Sequence, residues 1–234
     1  MIFLQEIKAK SDQLSEQLLH PVGYHAVYHS ALKAGYSGVG VWIREELMPH
    51  ILSIDHHLPG NPVEDEGRVI HVTYALAPSQ KLHIYGIYFP NGGKSEEAWG
   101  HKLEFYRALS HASRAHLDAG DMVLWGGDIN TAHQPIDLAR PKENDGKIGF
   151  HPMERSWLDS MKDEGFVDIW RSLHPETPDV YSWWDQVTRA RDRNVGWRID
   201  AWWADQSFVQ QVHPQASYLS QVMGSDHCPV VVEW

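Results

Sequence analysis

The run Met122-Val123-Leu124-Trp125-Gly126-Gly127-Asp128-Ile129-Asn130 reads as a buried strand that ends on a polar tip. Four apolar residues are too few for a helix core and are closed off by a Gly pair, so a strand over Met122–Trp125 is the expectation. Asp128 and Asn130 then stand at its exit. Just upstream, Ser95 can cap a helix whose first turn holds Glu96 and Glu97. Trp99, Leu103, Tyr106 and Leu109 give that helix an apolar face, and Gly120 stops it. A second helix is expected from Pro152 to Gly165, with Trp157 and Met161 on one side. A third is expected over Ser11–Leu19. Further strands are expected at Ile2–Gln5, Tyr24–Tyr28, Gly38–Ile43, Val69–Leu76, Leu82–Phe89, Ile199–Ala204, Ser207–Val212 and Pro229–Glu233. Runs of short strands with scattered helices predict two sheets packed face to face with helices outside, in one domain over residues 1–234.

The same polar-tip pattern recurs. Glu6 ends the run Ile2–Leu4, Asp200 sits inside Trp197-Arg198-Ile199-Asp200-Ala201-Trp202-Trp203, and Asp226 and His227 precede Cys228-Pro229-Val230-Val231-Val232. Taken singly, an Asp after a strand is a common turn or cap residue, and Ser-Asp-His a common turn. Taken together, carboxylates at strand ends need partners, because burying them unpaired costs several kcal/mol or shifts their pKa. Mg²⁺ suits such a set, since it binds carboxylate oxygens and keeps waters for a phosphate substrate. Asp, Asn and His nearby can orient or deprotonate a water.

Composition narrows the field. The charge is −11, from 20 Lys+Arg against 31 Asp+Glu, which by itself does not suggest a nucleic-acid binder. The distribution is uneven: Arg189, Arg191, Arg193 and Arg198 lie within ten residues, and no Lys or Arg follows Ile199. That stripe is either a solvated loop or a local anion-binding surface. One cysteine, Cys228, rules out an intramolecular disulfide framework and a thiolate zinc site. Gly35-Tyr36-Ser37-Gly38-Val39-Gly40 has neither the dinucleotide nor the P-loop spacing, and neither His-Glu-x-x-His nor Gly-x-Ser-x-Gly occurs. No apolar run approaches the roughly 20 residues that span a bilayer, and no signal peptide is evident, so a cytoplasmic protein without membrane partners is the expectation. Several of the eleven Trp are candidates for a flat-ligand platform.

Seven blocks carry a resemblance. They are Leu4-Gln5-Glu6-Ile7-Lys8, Gly35–Gly40, Tyr88-Phe89-Pro90-Asn91-Gly92, Gly127-Asp128-Ile129-Asn130-Thr131-Ala132, Asp137-Leu138-Ala139-Arg140-Pro141, Asn194–Asp200 and Gly224-Ser225-Asp226-His227-Cys228-Pro229. In this order, from end to end of the chain, they resemble exonuclease III-type abasic-site endonucleases. The resemblance implies a four-layer α/β sandwich, two mixed β-sheets flanked by helices, with the site at one rim. It implies a Mg²⁺-dependent nuclease (Mn²⁺ as substitute) that acts, as a monomer, on double-stranded DNA at abasic sites. Incision is 5′ to the lesion, with 3′ exonuclease and 3′-phosphatase activities beside it. By the same resemblance Glu6 holds the metal and Asp226 is an outer-shell or second-metal carboxylate. Asp128 orients or activates the attacking water beside Asn130. His227 contacts the scissile phosphate and pairs with Asp200, and Tyr88 stabilises developing charge. Trp183, Trp197 and Ile199 match the wall of a pocket for a flipped abasic sugar, with core packing the alternative for the two Trp. Lys8, Tyr36, Arg68, Asn91, Lys94, Arg189, Arg191 and Arg193 match positions that approach the DNA backbone.

The family also carries, ahead of these blocks, a strand with an Asn-rich motif. The chain opens at the second family strand. The resemblance therefore implies an uncovered sheet edge, one polar group fewer at the metal, and activity reduced but not lost. Phosphoinositide phosphatases and sphingomyelinases share the superfamily, so a non-DNA phosphoester substrate stays open, as does a damage-binding protein without turnover.

Overall fold

The structure, a computed structural model, describes residues 1–234. β1 (Ile2–Gln5), β2 (Tyr24–His29) and β3 (Val39–Arg44) form an antiparallel sheet in the order β1-β3-β2. Between β1 and β2, the helix expected over Ser11–Leu19 is broken into a 3-10 turn at Ser11–Gln13 and a short α1 (Glu16–Leu19). None of these residues is buried, so no apolar face exists to hold a longer helix together. β4 (Ile51–Asp55), β5 (Val69–Ala77) and β6 (Gln80–Tyr88) follow as a meander. α2 (Glu96–Asp118) then crosses over to β7 (Met122–Asp128), which lies parallel to β6.

The chain continues through α3 (Pro141–Asn144), α4 (Pro152–Asp163), β8 (Phe166–Asp168), α5 (Ile169–Leu173) and β9 (Asp200–Asp205). The large mixed sheet has the order β4-β5-β6-β7-β9-β8. The segment expected as a strand at Ser207–Val212 is instead helix α6 (Gln206–Val212). Asp205 decides this: its carboxylate accepts the backbone N–H groups of Ser207 and Phe208, an N-cap that the apolar pattern alone conceals. β10 (Gln215–Tyr218) and β11 (Val230–Glu233) complete the chain as an antiparallel pair. β4, β8 and β10 were not expected from the sequence.

Period-two alternation sorts side chains into two cores. Met122, Leu124, Leu82 and Ile84 meet Val39, Val41 and Ile43 between the two sheet layers. Val123, Trp125, Tyr85 and Ile87 meet Phe105, Leu109, Trp157 and Met161 of α2 and α4 on the other face. The glycine pair at the end of β7 is required by close approach. A Cβ on Gly126 would lie 2.4 Å from the Ala201 carbonyl oxygen, and one on Gly127, at φ +123°, 2.1 Å from that of Ile87. These glycines let β6, β7 and β9 converge where the polar residues emerge.

The second layer is not one hydrogen-bonded sheet. β1-β3-β2 and β10-β11 are separate ladders, and β1 and β11 are each unpaired on one side. Both edges line a groove of about 1580 Å³ that also reaches Asp128, Asp200 and His227.

Candidate active site

At one rim of the large sheet a cleft of about 530 Å³ collects Glu6, Lys8, Tyr88, Asp128, Asn130, Asp226 and His227. They come from the ends of β1, β6 and β7 and from the approach to β11. Glu6 (φ +53°), Lys8 (φ +48°), Ser37 (φ +46°) and Asn130 (φ +54°) are non-glycine residues in the left-handed region, and all four line this cleft. Such backbone costs on the order of 1 kcal/mol or more per residue and persists where the surroundings impose it.

Asp128 is 4% exposed and lies opposite Asp200 across the β7–β9 ladder. One carboxylate oxygen accepts the Asn130 backbone N–H at 2.8 Å, the other the Asn130 side-chain amide at 3.1 Å. That amide also donates to the Phe89 carbonyl at 3.0 Å, and Asn91 donates to the Asn130 amide oxygen at 3.0 Å. Burial, then the neighbouring Asp200 charge, push the Asp128 carboxyl well above the usual carboxylate range, opposed by His227 and the Asn130 N–H. His227 Nδ1 meets Asp200 Oδ2 at 2.8 Å. Burial alone would favour the neutral ring, but Asp200, Asp128 and Asp226 outweigh it and raise its pKa.

Across the cleft, the Tyr88 hydroxyl donates to Glu6, whose other oxygen is 2.7 Å from Lys8 Nζ. Burial would raise the Glu6 pKa, but the hydrogen bonds from Lys8 and Tyr88 hold it below the ordinary value. Burial and the adjacent Glu6 carboxylate keep the Tyr88 phenol protonated. Asp226 accepts the Trp183 indole N–H at 3.1 Å. Asp128, Asp200 and His227 each place a ligand atom within 4.8 Å of the others. The donor set is carboxylate-rich, with few compensating cations. Its oxygen chemistry fits a hard divalent ion, with Glu6 and Asp226 as the carboxylates open to the cleft.

One wall is aromatic. Trp183 and Trp197 exchange backbone hydrogen bonds at 2.9 Å, and Trp183 also bridges to His227. Both indoles pack on a small core of Ala132, Leu138, Phe150 and Ile199 while still lining the cleft with Ile199. Both tryptophans therefore pack in a core and border the cleft at the same time. The opposite rim is basic and aromatic: Lys94 Nζ lies 4.3 Å from the Tyr36 ring centre, and Asn91 lines the cleft between them and Asn130.

Of the four arginines expected at the DNA backbone, Arg68 lines the cleft and Arg189, Arg191 and Arg193 do not. Arg68 is 3% exposed. It donates to the carbonyls of Tyr88 and Phe89, to Tyr36 and to Glu66, and so braces the cleft from beneath. Arg198, counted in the basic stripe, is also 3% exposed and bonds Asp137 at 2.8 Å and Asp168 at 2.7 Å. Arg171 joins the same Asp137 oxygen at 2.7 Å. Burial opposes ionisation of Asp137, but the two guanidinium groups hold its pKa down to about 2. Arg191 donates to the carbonyls of Ser220, Val222 and Ser225 and stacks on Trp184, which staples the loop that carries Asp226 and His227. Arg189 is exposed beside Asp192, and Arg193 donates only to the Thr188 carbonyl. Neither Arg189, Arg191 nor Arg193 lines the cleft.

A supporting pair escaped the sequence reading. Lys102 and Glu154 are both fully buried and 2.5 Å apart. Lys102 Nζ donates to the carbonyls of Asn130 (2.9 Å) and Asn91 (3.3 Å). Glu154 accepts the N–H groups of Gly149 and His151. The His151-Pro152-Met153-Glu154 capping pattern was the available signal for Glu154. Ser182 is a second such residue: its hydroxyl accepts the N–H groups of Ile199 and Asp200, both at 3.0 Å.

With this geometry in hand, the chain matches the Endonuclease/Exonuclease/phosphatase family over residues 1–227. It is 36% identical over 232 residues to an exodeoxyribonuclease of Bacillus subtilis, covering 98% of this chain and 86% of the relative. The catalytic domain of Xenopus laevis APE2 superposes with a TM-score of 0.84 at 25% identity, covering 98% of this chain and 81% of that one. An AP endonuclease from Archaeoglobus fulgidus gives a TM-score of 0.79 at 27% identity, covering 99% and 87%.

Proposed function

The chain belongs to the endonuclease/exonuclease/phosphatase family, and from that footing we propose that it is a Mg²⁺-dependent DNA-repair nuclease that hydrolyses the phosphodiester 5′ to abasic sites in duplex DNA. A 3′ exonuclease and a 3′-phosphatase activity belong to the same reading. The observation that carries it is one cleft holding Glu6, Tyr88, Asp128, Asn130, Asp226 and His227 against an indole-lined wall.

In this reading Asn130 fixes both oxygens of Asp128, so that the carboxylate holds the attacking water and takes its proton. The water oxygen bonds to phosphorus as the bond to the 3′-oxygen breaks, and that oxygen gains a proton from solvent. His227, oriented by Asp200, donates from its free ring nitrogen to a non-bridging phosphate oxygen. The Tyr88 phenol adds a second donor beside Glu6. A divalent cation on Glu6 and Asp226, when bound, supplies neutralisation of the phosphate charge. Trp183, Trp197 and Ile199 enclose a sugar that has already lost its base, which is inexpensive to extrude. Lys8, Lys94, Tyr36 and Asn91 meet the backbone locally, despite the acidic total.

The test is incision of an abasic duplex, an intact duplex and an inositol phosphate, each with Mg²⁺ and with EDTA. Internal incision of the abasic duplex alone, with the intact duplex shortened only from its 3′ ends and both reactions abolished by EDTA, is the expected result. Preference for the inositol phosphate, or full activity in EDTA, overturns the substrate or the metal assignment respectively.

A further inference from the structure

A second cluster of histidines stands away from the cleft. His71 on β5, His83 on β6 and His116 in the last turn of α2 each place a ligand atom within 4.8 Å of the others. His83 is five residues before Tyr88 on the same strand, or about 17 Å away along it. The cluster faces α2, toward the opposite end of the sheet from the cleft.

Its hydrogen bonds fix the tautomers. His83 Nε2 lies 3.1 Å from Asp121 Oδ2, and the carboxylate can only accept, so Nδ1 of a neutral His83 carries a lone pair. That lone pair faces His71 Nε2 at 2.9 Å. His116 Nε2 meets the Tyr85 hydroxyl at 2.8 Å. His71 stacks on Tyr85 with ring centres 4.2 Å apart, and His83 on His116 at 3.5 Å. His71 and His83 are 9% and 6% exposed, whereas His116 is partly open to solvent. Burial keeps all three rings neutral by lowering their pKa values, His71 to about 3 and His116 to about 4. Neutral imidazoles are the form that ligates metal.

We propose that His71, His83 and His116, with Asp121 behind His83, form a transition-metal site of Zn²⁺ type that ties β5 and β6 to the end of α2. Three neutral imidazoles favour a borderline-soft ion over Mg²⁺. Zn–N bonds of about 2.0–2.1 Å in a tetrahedron put ligand nitrogens roughly 3.3 Å apart. The His71–His83 pair, now joined through one proton, needs to open by only a few tenths of an ångström. The His71 proton moves through solvent to the other ring nitrogen, and no net charge changes. An ion lies in the plane of each ring, so His116 must turn off its stack on His83. Its place at a helix end, half open to solvent, leaves room for that turn and for a water as fourth ligand. Asp121 then orients the ligating ring, as carboxylates behind metal-bound histidines do.

The experiment uses the whole chain, stripped with chelator and then held in millimolar Mg²⁺ to occupy the cleft. Zn²⁺ is titrated against the thermal midpoint, and Co²⁺ against visible absorption. At about a hundredfold excess over Kd the midpoint should rise by roughly 5–10 °C, and Co²⁺ should show tetrahedral bands. His116→Gln and His71→Gln should each remove both signals, and Asp121→Asn should weaken binding about 10–100-fold. His227→Ala should keep them, and His116→Gln should keep Mg²⁺-supported incision. The site is overturned by a midpoint unmoved in the parent chain, or by signals lost in His227→Ala and kept in His116→Gln, which would put the ion in the cleft.

Discussion

Glu154→Gln is the sharpest probe of how the cleft is held. The substitution leaves shape almost unchanged but removes the charge facing Lys102 in a site where both side chains are 0% exposed. One Glu154 oxygen serves Lys102 and the Thr131 hydroxyl, and the other serves the N–H groups of Gly149 and His151. An amide has one acceptor for these two groups of donors, so its NH₂ must confront either the ammonium or the backbone. Stranding one partner of a buried pair costs about 3–5 kcal/mol. Burial already depresses the Lys102 pKa, with Glu154 opposing, so Lys102 escapes part of the penalty by losing its proton. A net loss of about 3 kcal/mol, measured by urea unfolding, is the expected result. Lys102→Met should cost less, because it strands a carboxylate that keeps two N–H donors. In the double variant the amide can turn its oxygen to Gly149 and His151, so its cost should fall about 2 kcal/mol short of the sum. kcat should fall in Glu154→Gln as well, since Lys102 fixes the Asn130 carbonyl and Asn130 fixes Asp128. Strict additivity in the cycle, or a Glu154→Gln loss below about 1 kcal/mol, would refute the buried-pair account.

Other expectations follow from the same geometry. Asp128→Asn and His227→Ala should each lower the single-turnover incision rate by at least about 10²-fold while DNA binding changes little; a near-normal rate removes the residue from its role. Trp197→Ala should weaken binding of abasic duplex more than of intact duplex, and equal losses in a filter-binding assay would leave it a packing residue. Arg191→Ala should lower the thermal midpoint and incision together, because it frees the loop bearing Asp226 and His227, whereas Arg193→Ala should leave the midpoint unmoved. The His71 contribution to stability should fall as pH drops below neutrality. His71 has a folded pKa of about 3, so the unfolded chain binds its proton first, and stability is lost progressively from about pH 6.5 toward pH 3. Its share is about 2 kcal/mol by pH 5, with His83, His116 and Asp55 as the titrating neighbours. His227 and Asp128, both shifted upward, gain stability over part of this range and oppose the loss, so the comparison with His71→Gln isolates the His71 share. An unchanged dependence of the urea midpoint on pH between 7.5 and 5 in His71→Gln, in metal-free buffer, would contradict it.

What the sequence reveals depends on whether a residue's role is local. The strand Met122–Trp125 and the capped helix from Ser95 to Gly120 were readable, because alternation, Ser95 and Gly120 act within one element. Ser207–Val212 was misread, because a cap two residues upstream, Asp205, outweighs an apolar pattern too short to show its period. The polar strand tips were legible as a set, and the fold brings Glu6, Tyr88, Asp128, Asn130, Asp226 and His227 into one cleft. The arginines were not legible. Arg68 and Arg198 sit in the sequence like any surface cation, and only long-range partners reveal them as buried braces. Lys102 is different: three residues after Trp99 and four before Tyr106, it falls on the apolar face of its own helix, but only the carbonyls of two loops beyond the helix explain a charge there.

The division of the second layer bears on how firmly the cleft is set. Glu6 follows β1 and His227 precedes β11, so the two sides of the site hang on ladders that share no hydrogen bond. Asp128 and Asp200 stand instead on adjacent strands of the large sheet. His227 is referred to that frame by its bond to Asp200 and by the backbone bridge to Trp183, and Tyr218 of β10 donates to the Asp200 carbonyl at 2.6 Å. Glu6 is referred to it through Tyr88 at the end of β6 and through Phe3 of β1, whose ring sits where a Gly86 side chain would be. Asp128 and Asp200 are therefore placed by the hydrogen bonds of the large sheet. The Glu6 carboxylate is placed by a phenol, an ammonium and a ring packed on glycine. Its side-chain contacts are the more exposed, and exposed contacts are those from which local opening draws first. The groove between β1 and β11 runs along this more exposed side, so any extended segment pairing with either edge would stiffen the Glu6 side of the site before it affected Asp128 and Asp200.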